Sequence, residues 1–171
     1  MGVVLVAVAV VSAAVLTAGG GVTDPAPFAV VRPFSLSAVL SGQAPVSLAA
    51  APGRPVVLTF FASWCAPCLR ELPVIQRYWL SVQGGPGGAP TIVGVDEMDQ
   101  RPDGPDLVRR TGVTFPSGYD HDGAVGRRWA VDGLPVTAFI TPGGRVVAYH
   151  RGELDRTQLD GLVHRLVAAG Q

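Results

Sequence analysis

The sequence predicts an α/β domain in which a central mixed sheet is flanked by helices. Short apolar runs alternate with segments of helical periodicity, in the order strand, helix, strand, helix, hairpin, helix. The only two cysteines, Cys65 and Cys68, lie directly after the first of the longer apolar runs, where a helical segment begins. The element order indicates the fold class, and the cysteines indicate where its chemistry is.

The predicted elements follow one another without an internal repeat. Asp155, with Gln158 three positions on, is typical of a capping box that starts the last helix. Glycine and proline at residues 84–90 separate the first long helix from the next strand. In chain order we expect a small N-terminal hairpin (34–36 and 46–48), a strand (55–61), a helix (66–82), a strand (91–95), two short helices (103–111 and 124–129), a hairpin (136–140 and 146–150) and a closing helix (155–167).

The N-terminus has a different character. Residues 2–22 contain no charged side chain and are mostly Val, Ala or Leu. As a helix they would span roughly 30 Å, the thickness of the hydrocarbon layer of a bilayer. We therefore expect residues 1–22 to form one hydrophobic helix, which is a membrane anchor or, if cleavage occurs near residues 17–19, a signal peptide. Residues 23–33 would be a linker, and residues 34–171 the folded domain.

The charge balance argues against polyanionic partners. The chain has 13 basic and 13 acidic side chains, so its formal net charge is zero. There is no electrostatic basis for binding nucleic acid or an acidic membrane surface. About 150 residues remain after the N-terminal segment, enough for a single core, and we expect a monomer.

The pair Cys65 and Cys68 has the spacing and setting of a redox dithiol. Cys65 falls at a strand-to-helix turn, where free backbone N–H groups and the helix dipole favour a thiolate. Cys68 lies one helical turn further on, within bonding reach. A purely structural disulfide over so short a loop would constrain the unfolded chain very little. Zinc needs about four ligands, and the three histidines show no ligand spacing. We expect no metal and no other cofactor.

Beyond the cysteines, several motifs occur in the order found in a known family. They are residues 53–58, residues 61–68, Glu71, Pro73, residues 119–123, residues 133–137 and residues 140–144. From about residue 34 to residue 167 the chain resembles membrane-anchored, extracytoplasmic thioredoxin-like disulfide reductases of the TlpA/ResA type. The resemblance implies a thioredoxin fold and thiol–disulfide exchange.

The same resemblance implies roles for particular residues. Pro135 would follow a cis peptide bond and lie across from Cys65. Leu134, Pro135 and Val136, together with an exposed Trp64, would contact the substrate. The implied substrates are proteins with disulfides, among them oxidised apocytochrome c and other exported proteins, and the electrons would come from a membrane thiol carrier. Two alternatives stay open: an extracytoplasmic disulfide oxidant or isomerase, and a non-catalytic module that handles metal or haem.

The expected chemistry is asymmetric. Cys65, exposed at the helix start, is the nucleophile. Cys68, which is more buried, is the resolving cysteine and must lose a proton before it reacts. Thioredoxins have a buried carboxylate six residues before the first cysteine, but this chain has Thr59 there. Three carboxylates follow the strand expected to end at Val95, and of these we favour Glu97 for tuning the site; the alternative is a solvated acidic loop. Because no histidine separates the cysteines, we favour reduction over oxidation.

The N-terminal segment gives a testable prediction about location. Residues 1–33 fused to a reporter that is active only outside the cytoplasm should give reporter activity, and the fusion should fractionate with membranes if the segment is an anchor. A cytosolic fusion with an intact N-terminus would contradict both the anchor and the signal peptide.

Overall fold

The computed structural model of the chain describes residues 22–24, 26–50, 52–83 and 89–170. The hydrophobic helix predicted for residues 1–22 therefore lies outside the described residues, apart from Val22. Within the described ranges, no helix is both long enough and apolar enough to cross a bilayer.

The described residues form eight strands and four helices. The strands are β1 (Val22–Asp24), β2 (Phe34–Leu36), β3 (Val46–Leu48), β4 (Val56–Phe61), β5 (Thr91–Glu97), β6 (Ser117–Asp120), β7 (Val136–Ile140) and β8 (Val146–Arg151). The helices are α1 (Ala66–Val82), α2 (Asp103–Thr111), α3 (Ala124–Arg128) and α4 (Arg156–Ala169). The predicted hairpin of β2 and β3 is confirmed, and so is the capping box of Asp155 and Gln158 at the start of α4.

Six of the strands form one mixed sheet, which confirms the predicted α/β class. Their order is β1-β8-β7-β4-β5-β6, and the hairpin of β2 and β3 is separate from it. Strands β4, β5 and β6 are parallel, whereas β7 is antiparallel to both β4 and β8. The carboxyl ends of β4, β5, β6 and β8 therefore meet the start of β7 at one edge of the sheet. In open α/β sheets this is the edge where ligands usually bind.

Each face of the sheet has its own apolar core. On one face, Val57 and Phe61 of β4 pack with side chains of α1, α2 and α4, among them Leu72. On the other face, Phe60 packs with Trp129, which is fully buried. The alternation along β4 thus assigns odd-numbered side chains to the α1 face and even-numbered ones to the opposite face.

Two predicted boundaries were wrong. Residues 23–33, expected to be a linker, pack onto the domain: Thr23 of β1 pairs with His150 of β8, and the Phe28 ring lies 5.2 Å from that of Trp129. Strand β5 continues through Glu97 instead of ending at Val95. Its last residues stay in the sheet because β6, a strand with little apolar character, pairs with them.

Candidate active site

The two cysteines sit where β4 passes into α1. Residues 62–65 form a turn in which the Cys65 N–H donates to the Ala62 carbonyl, at 3.2 Å. Cys65 is the N-cap of α1, and its sulfur accepts the backbone N–H of Cys68 at 3.1 Å. The two sulfurs are bonded as a disulfide, with Cα atoms 5.3 Å apart. The sulfur of Cys65 therefore occupies the place that a capping oxygen takes at other helix starts.

Exposure differs sharply along this turn. Trp64 is 63% exposed, as expected, and its contact with substrate stays a prediction. Cys65 retains only 4% of its surface, and Cys68 has none. The predicted order of burial is right, but the expectation of an exposed Cys65 was wrong, because its sulfur is turned in toward the helix start and bonded to Cys68. Little of Cys65 is therefore accessible to another molecule in this oxidised form.

The start of β7 lies at the same edge of the sheet. The Leu134–Pro135 peptide bond is cis, as the resemblance implied. Val136 pairs with Phe60 of β4, so Pro135 lies level with the end of that strand. The Pro135 carbonyl accepts the Gly152 N–H at 2.9 Å. Leu134 is half-buried, whereas Pro135 and Val136 are buried. Contact of this segment with substrate stays a prediction.

A buried carboxyl lies one helical turn beyond the dithiol. Glu71 follows Cys68 by three positions on α1, a spacing that places both side chains on one face of the helix, and neither is exposed. One carboxyl oxygen, Oε1, accepts the Leu154 N–H at 3.2 Å, and the other has no partner among the described residues. Burial raises the pKa of Glu71 to about 8, against the opposing effect of the Leu154 N–H.

In the sequence, Glu71 is one of the motifs that carry the resemblance, but its ionisable role was not predicted. The signal was available, since Glu71 interrupts the apolar face of α1 at a position that the spacing assigns to the core.

Thr59, the residue at the carboxylate position of thioredoxins, is fully buried. It pairs across the sheet with Thr137, which is also fully buried. Neither hydroxyl has a hydrogen-bond partner among the described residues. This position therefore provides hydroxyl groups but no ionisable group.

The acidic residues after Val95 are buried, not in a solvated loop. Asp96 is level with Phe61 in the sheet and so lies on the α1 face, whereas Glu97 lies on the opposite face. Burial, then the charge of Asp120, raises the pKa of Glu97 to about 8. Asp99 reaches the reactive turn and accepts two hydrogen bonds from Ser63. A tuning role for Glu97 stays a prediction. Asp99 is connected to the turn that contains Cys65 through its two hydrogen bonds from Ser63.

The geometry agrees with comparisons to known proteins. The Redoxin family matches residues 22–163. The thiol-disulfide oxidoreductase ResA of Oceanobacillus iheyensis is 29% identical over 71% of this chain and 62% of its own length. The thiol:disulfide interchange protein DsbE of Xylella fastidiosa (strain Temecula1) is 27% identical over 78% of this chain and 64% of its own. The chain thus spans less than two thirds of the length of these relatives.

Solved structures share the fold. The structure of MTB DsbF in mixed oxidised and reduced forms is 31% identical, with a TM-score of 0.66, and the match covers 78% of this chain and 94% of that one. StoA from Bacillus subtilis has a TM-score of 0.65 at 22% identity, covering 78% of this chain and 98% of that one. With the disulfide at the start of α1 and the cis proline at the same edge, these matches show that the chain belongs to the Redoxin family and is a thioredoxin-like protein of the TlpA/ResA type.

Proposed function

We propose that the protein is a thiol–disulfide oxidoreductase that reduces disulfides in exported proteins. The observation that supports this most is the Cys65–Cys68 disulfide at the start of α1, with the Cys68 N–H directed at the Cys65 sulfur. A sulfur in this position is stabilised as a thiolate by a backbone donor and by the helix dipole. The relatives' names describe thiol–disulfide chemistry but not its direction.

The reaction cycle conserves thiols and disulfides. The Cys65 thiolate attacks one sulfur of a client disulfide, a mixed disulfide forms, and the other client sulfur leaves as a thiolate that takes up a proton. The Cys68 thiolate then attacks the Cys65 sulfur, the Cys65–Cys68 bond forms, and the second client sulfur leaves. The client gains two electrons and two protons, and the dithiol loses them.

Resolution requires that Cys68 lose its proton inside the core. Glu71 is the acceptor that we propose, because it lies one turn away on the same face of α1 and has one oxygen without a partner among the described residues. With a pKa of about 8, this carboxyl exchanges protons readily near neutral pH. Thr59 cannot accept the proton, since its hydroxyl is not basic at this pH.

The surroundings favour a reducing dithiol. A strong oxidant needs a stabilised reduced form, as when positive groups hold the thiolate. Here the two residues between the cysteines are Ala66 and Pro67, and the guanidinium of Arg70 is paired at the surface with Glu153, at 2.6 Å. The nearby ionisable group in the core, Glu71, is a carboxyl and therefore supplies no positive charge to a thiolate. The thiolate therefore receives its stabilisation mainly from the helix start.

The proposed setting is the outer side of a membrane, with residues 1–22 as the tether. The proposed clients are exported proteins with disulfides, including apocytochrome c before haem attachment, and the proposed electron donor is a membrane thiol carrier. Tethering would keep the dithiol near its donor and raise the local concentration of each for the other.

The function can be tested by trapping. A Cys68→Ser variant can form the mixed disulfide but cannot resolve it, so it should accumulate covalent adducts with disulfide-containing client proteins that a thiol reductant releases. A Cys65→Ser/Cys68→Ser control should accumulate none. Absence of adducts with Cys68→Ser would contradict the proposed exchange.

The assignment of the nucleophile predicts a difference in titration. In the reduced protein, Cys65 should have a pKa below the free-thiol value of about 8.5, because the Cys68 N–H and the helix dipole stabilise its thiolate, and Cys68 should titrate higher. Alkylation rates against pH, with each site quantified by mass spectrometry, measure this difference. Faster labelling of Cys68 across the range would overturn the assignment.

The proposed base predicts a pH dependence. Glu71 accepts a proton only when ionised, so resolution should speed up as pH rises through about 8, the pKa of this carboxyl. Glu71→Gln should slow resolution by at least about tenfold and abolish that step in the profile. Stopped-flow measurement of mixed-disulfide decay tests this. Glu153→Gln, which removes the neighbouring surface carboxylate, is the control, and an unchanged rate in Glu71→Gln would rule out Glu71.

A further inference from the structure

Asp99 holds the turn that presents Cys65. Ser63 and Trp64 are the two central residues of that turn, which the Cys65 N–H closes onto the Ala62 carbonyl. One oxygen of Asp99, Oδ2, accepts the Ser63 N–H at 2.8 Å, and the other, Oδ1, accepts the Ser63 hydroxyl at 2.8 Å. Asp99 is only 1% exposed, so water competes little for these bonds. The position of the turn is therefore linked to the charge and orientation of one carboxylate.

A second carboxyl lies against the first. Asp96 is fully buried, and neither of its oxygens accepts a hydrogen bond from a described protein donor. It packs against Gly104 of α2, where an added methyl group would overlap one of its oxygens. Burial and a hydrogen bond with Asp99 raise the pKa of Asp96 to about 9. Two adjacent buried carboxyls cannot both be ionised at low cost, so a proton shared between them would stabilise the pair.

The other charged groups near the pair have smaller effects: the charge of Arg101 lowers the pKa of Asp96 and that of Glu97 raises it, but burial and the contact with Asp99 outweigh both. Arg101, from the same loop, stacks over the Tyr119 ring with its guanidinium carbon 4.3 Å from the ring centroid. That guanidinium donates to the carbonyls of Ala38 and Val39. On the α2 side, the open cleft beside Ser63, of about 500 Å³, is lined by charged side chains of both signs: Asp103, Asp106, Arg109 and Arg110. Glu97 lies on the opposite face of the sheet and Glu71 lies on α1.

We propose that Asp96 and Asp99 form a proton-sharing carboxyl pair that positions Cys65 through Ser63. Asp99 accepts both hydrogen bonds from Ser63, and Asp96 donates its proton to Asp99. Both are positioning residues, since neither lies in the disulfide. The inference rests on the proposed function, because positioning matters for in-line attack on a client disulfide.

The pair has a consequence for pH dependence. Loss of the Asp96 proton above about pH 9 would place a negative charge against Asp99 and remove the donor that faces it, which would loosen the hold on Ser63. The rate of attack on a disulfide should therefore fall at alkaline pH, where an ordinary thiolate keeps its full reactivity. The ionisation of Glu71, near pH 8, occurs earlier in the titration and is separable.

The test uses the full chain with Cys68→Ser, so that only Cys65 reacts. Its rate is measured from pH 6 to 11 with two probes: a small aromatic disulfide, whose two rings restrict its approach along the S–S axis, and the smaller iodoacetamide, whose approach is less restricted. Asp99→Asn leaves one acceptor oxygen for the two Ser63 donors. It should slow the disulfide reaction by about tenfold while changing the alkylation rate much less. Asp103→Asn removes a negative charge from the same cleft without touching Ser63 and serves as the control.

Asp96→Asn tests the shared proton. Its amide N–H can still donate to Asp99 but cannot ionise in this range, so the alkaline fall in rate should disappear. Persistence of that fall in Asp96→Asn would overturn proton sharing, and a disulfide rate in Asp99→Asn equal to that of the parent would overturn positioning.

Ser63→Ala keeps the carboxyl pair and removes one donor. It should lower the disulfide rate by about threefold, which decides the positioning claim even if Asp99→Asn does not fold; an unchanged rate would contradict it. A failure of the proposed function is distinguishable, because the parent itself would then be alkylated at Cys65 but would not react with protein disulfides.

Discussion

At the start of α1, the sulfur of Cys65 accepts a hydrogen bond from the backbone N–H of Cys68, with the two atoms 3.1 Å apart. The first amides of a helix have no partner within the helix, so a capping atom must supply one. Here the cap is also the reactive atom, and the same hydrogen bond that completes the helix stabilises the thiolate. Strand β4 delivers the chain to this point, and α1 packs its apolar face on the sheet, which fixes the direction of the helix start.

The fold places ionisable groups near the dithiol at two positions, one in the core below α1 and one beside the turn that leads into α1. Glu71 lies beneath Cys68, in the core, where it can exchange protons with a buried thiol. Asp99 lies beside the turn and holds Ser63, with Asp96 behind it. Both arrangements depend on parallel strands that end at one edge, since β4 leads into the cysteines and β5 into the aspartates. In the two proposals, proton handling and positioning are therefore separate tasks of separate carboxyls.

Much of this could be predicted from sequence, because the signals are local. The apolar run of β4, the periodicity of α1 and the capping box at Asp155 each lie within a few residues, and the structure has all three. Strand β6 and the packing of residues 23–33 could not be predicted, because they form by pairing with distant strands. The positions of Asp96 and Glu97 on opposite faces of the sheet were missed for a related reason. The predicted strand ended two residues too early, so both residues were expected in a loop.

We propose that the helix start supplies most of the stabilisation of the Cys65 thiolate, with no positive side chain between the two cysteines, so that the dithiol is reducing. Equilibration of the protein with glutathione buffers measures this directly, with the oxidised fraction read by alkylation and mass spectrometry. The account predicts a reduction potential near that of thioredoxin, about −270 mV. A value near about −120 mV, typical of a strong oxidant, would contradict it.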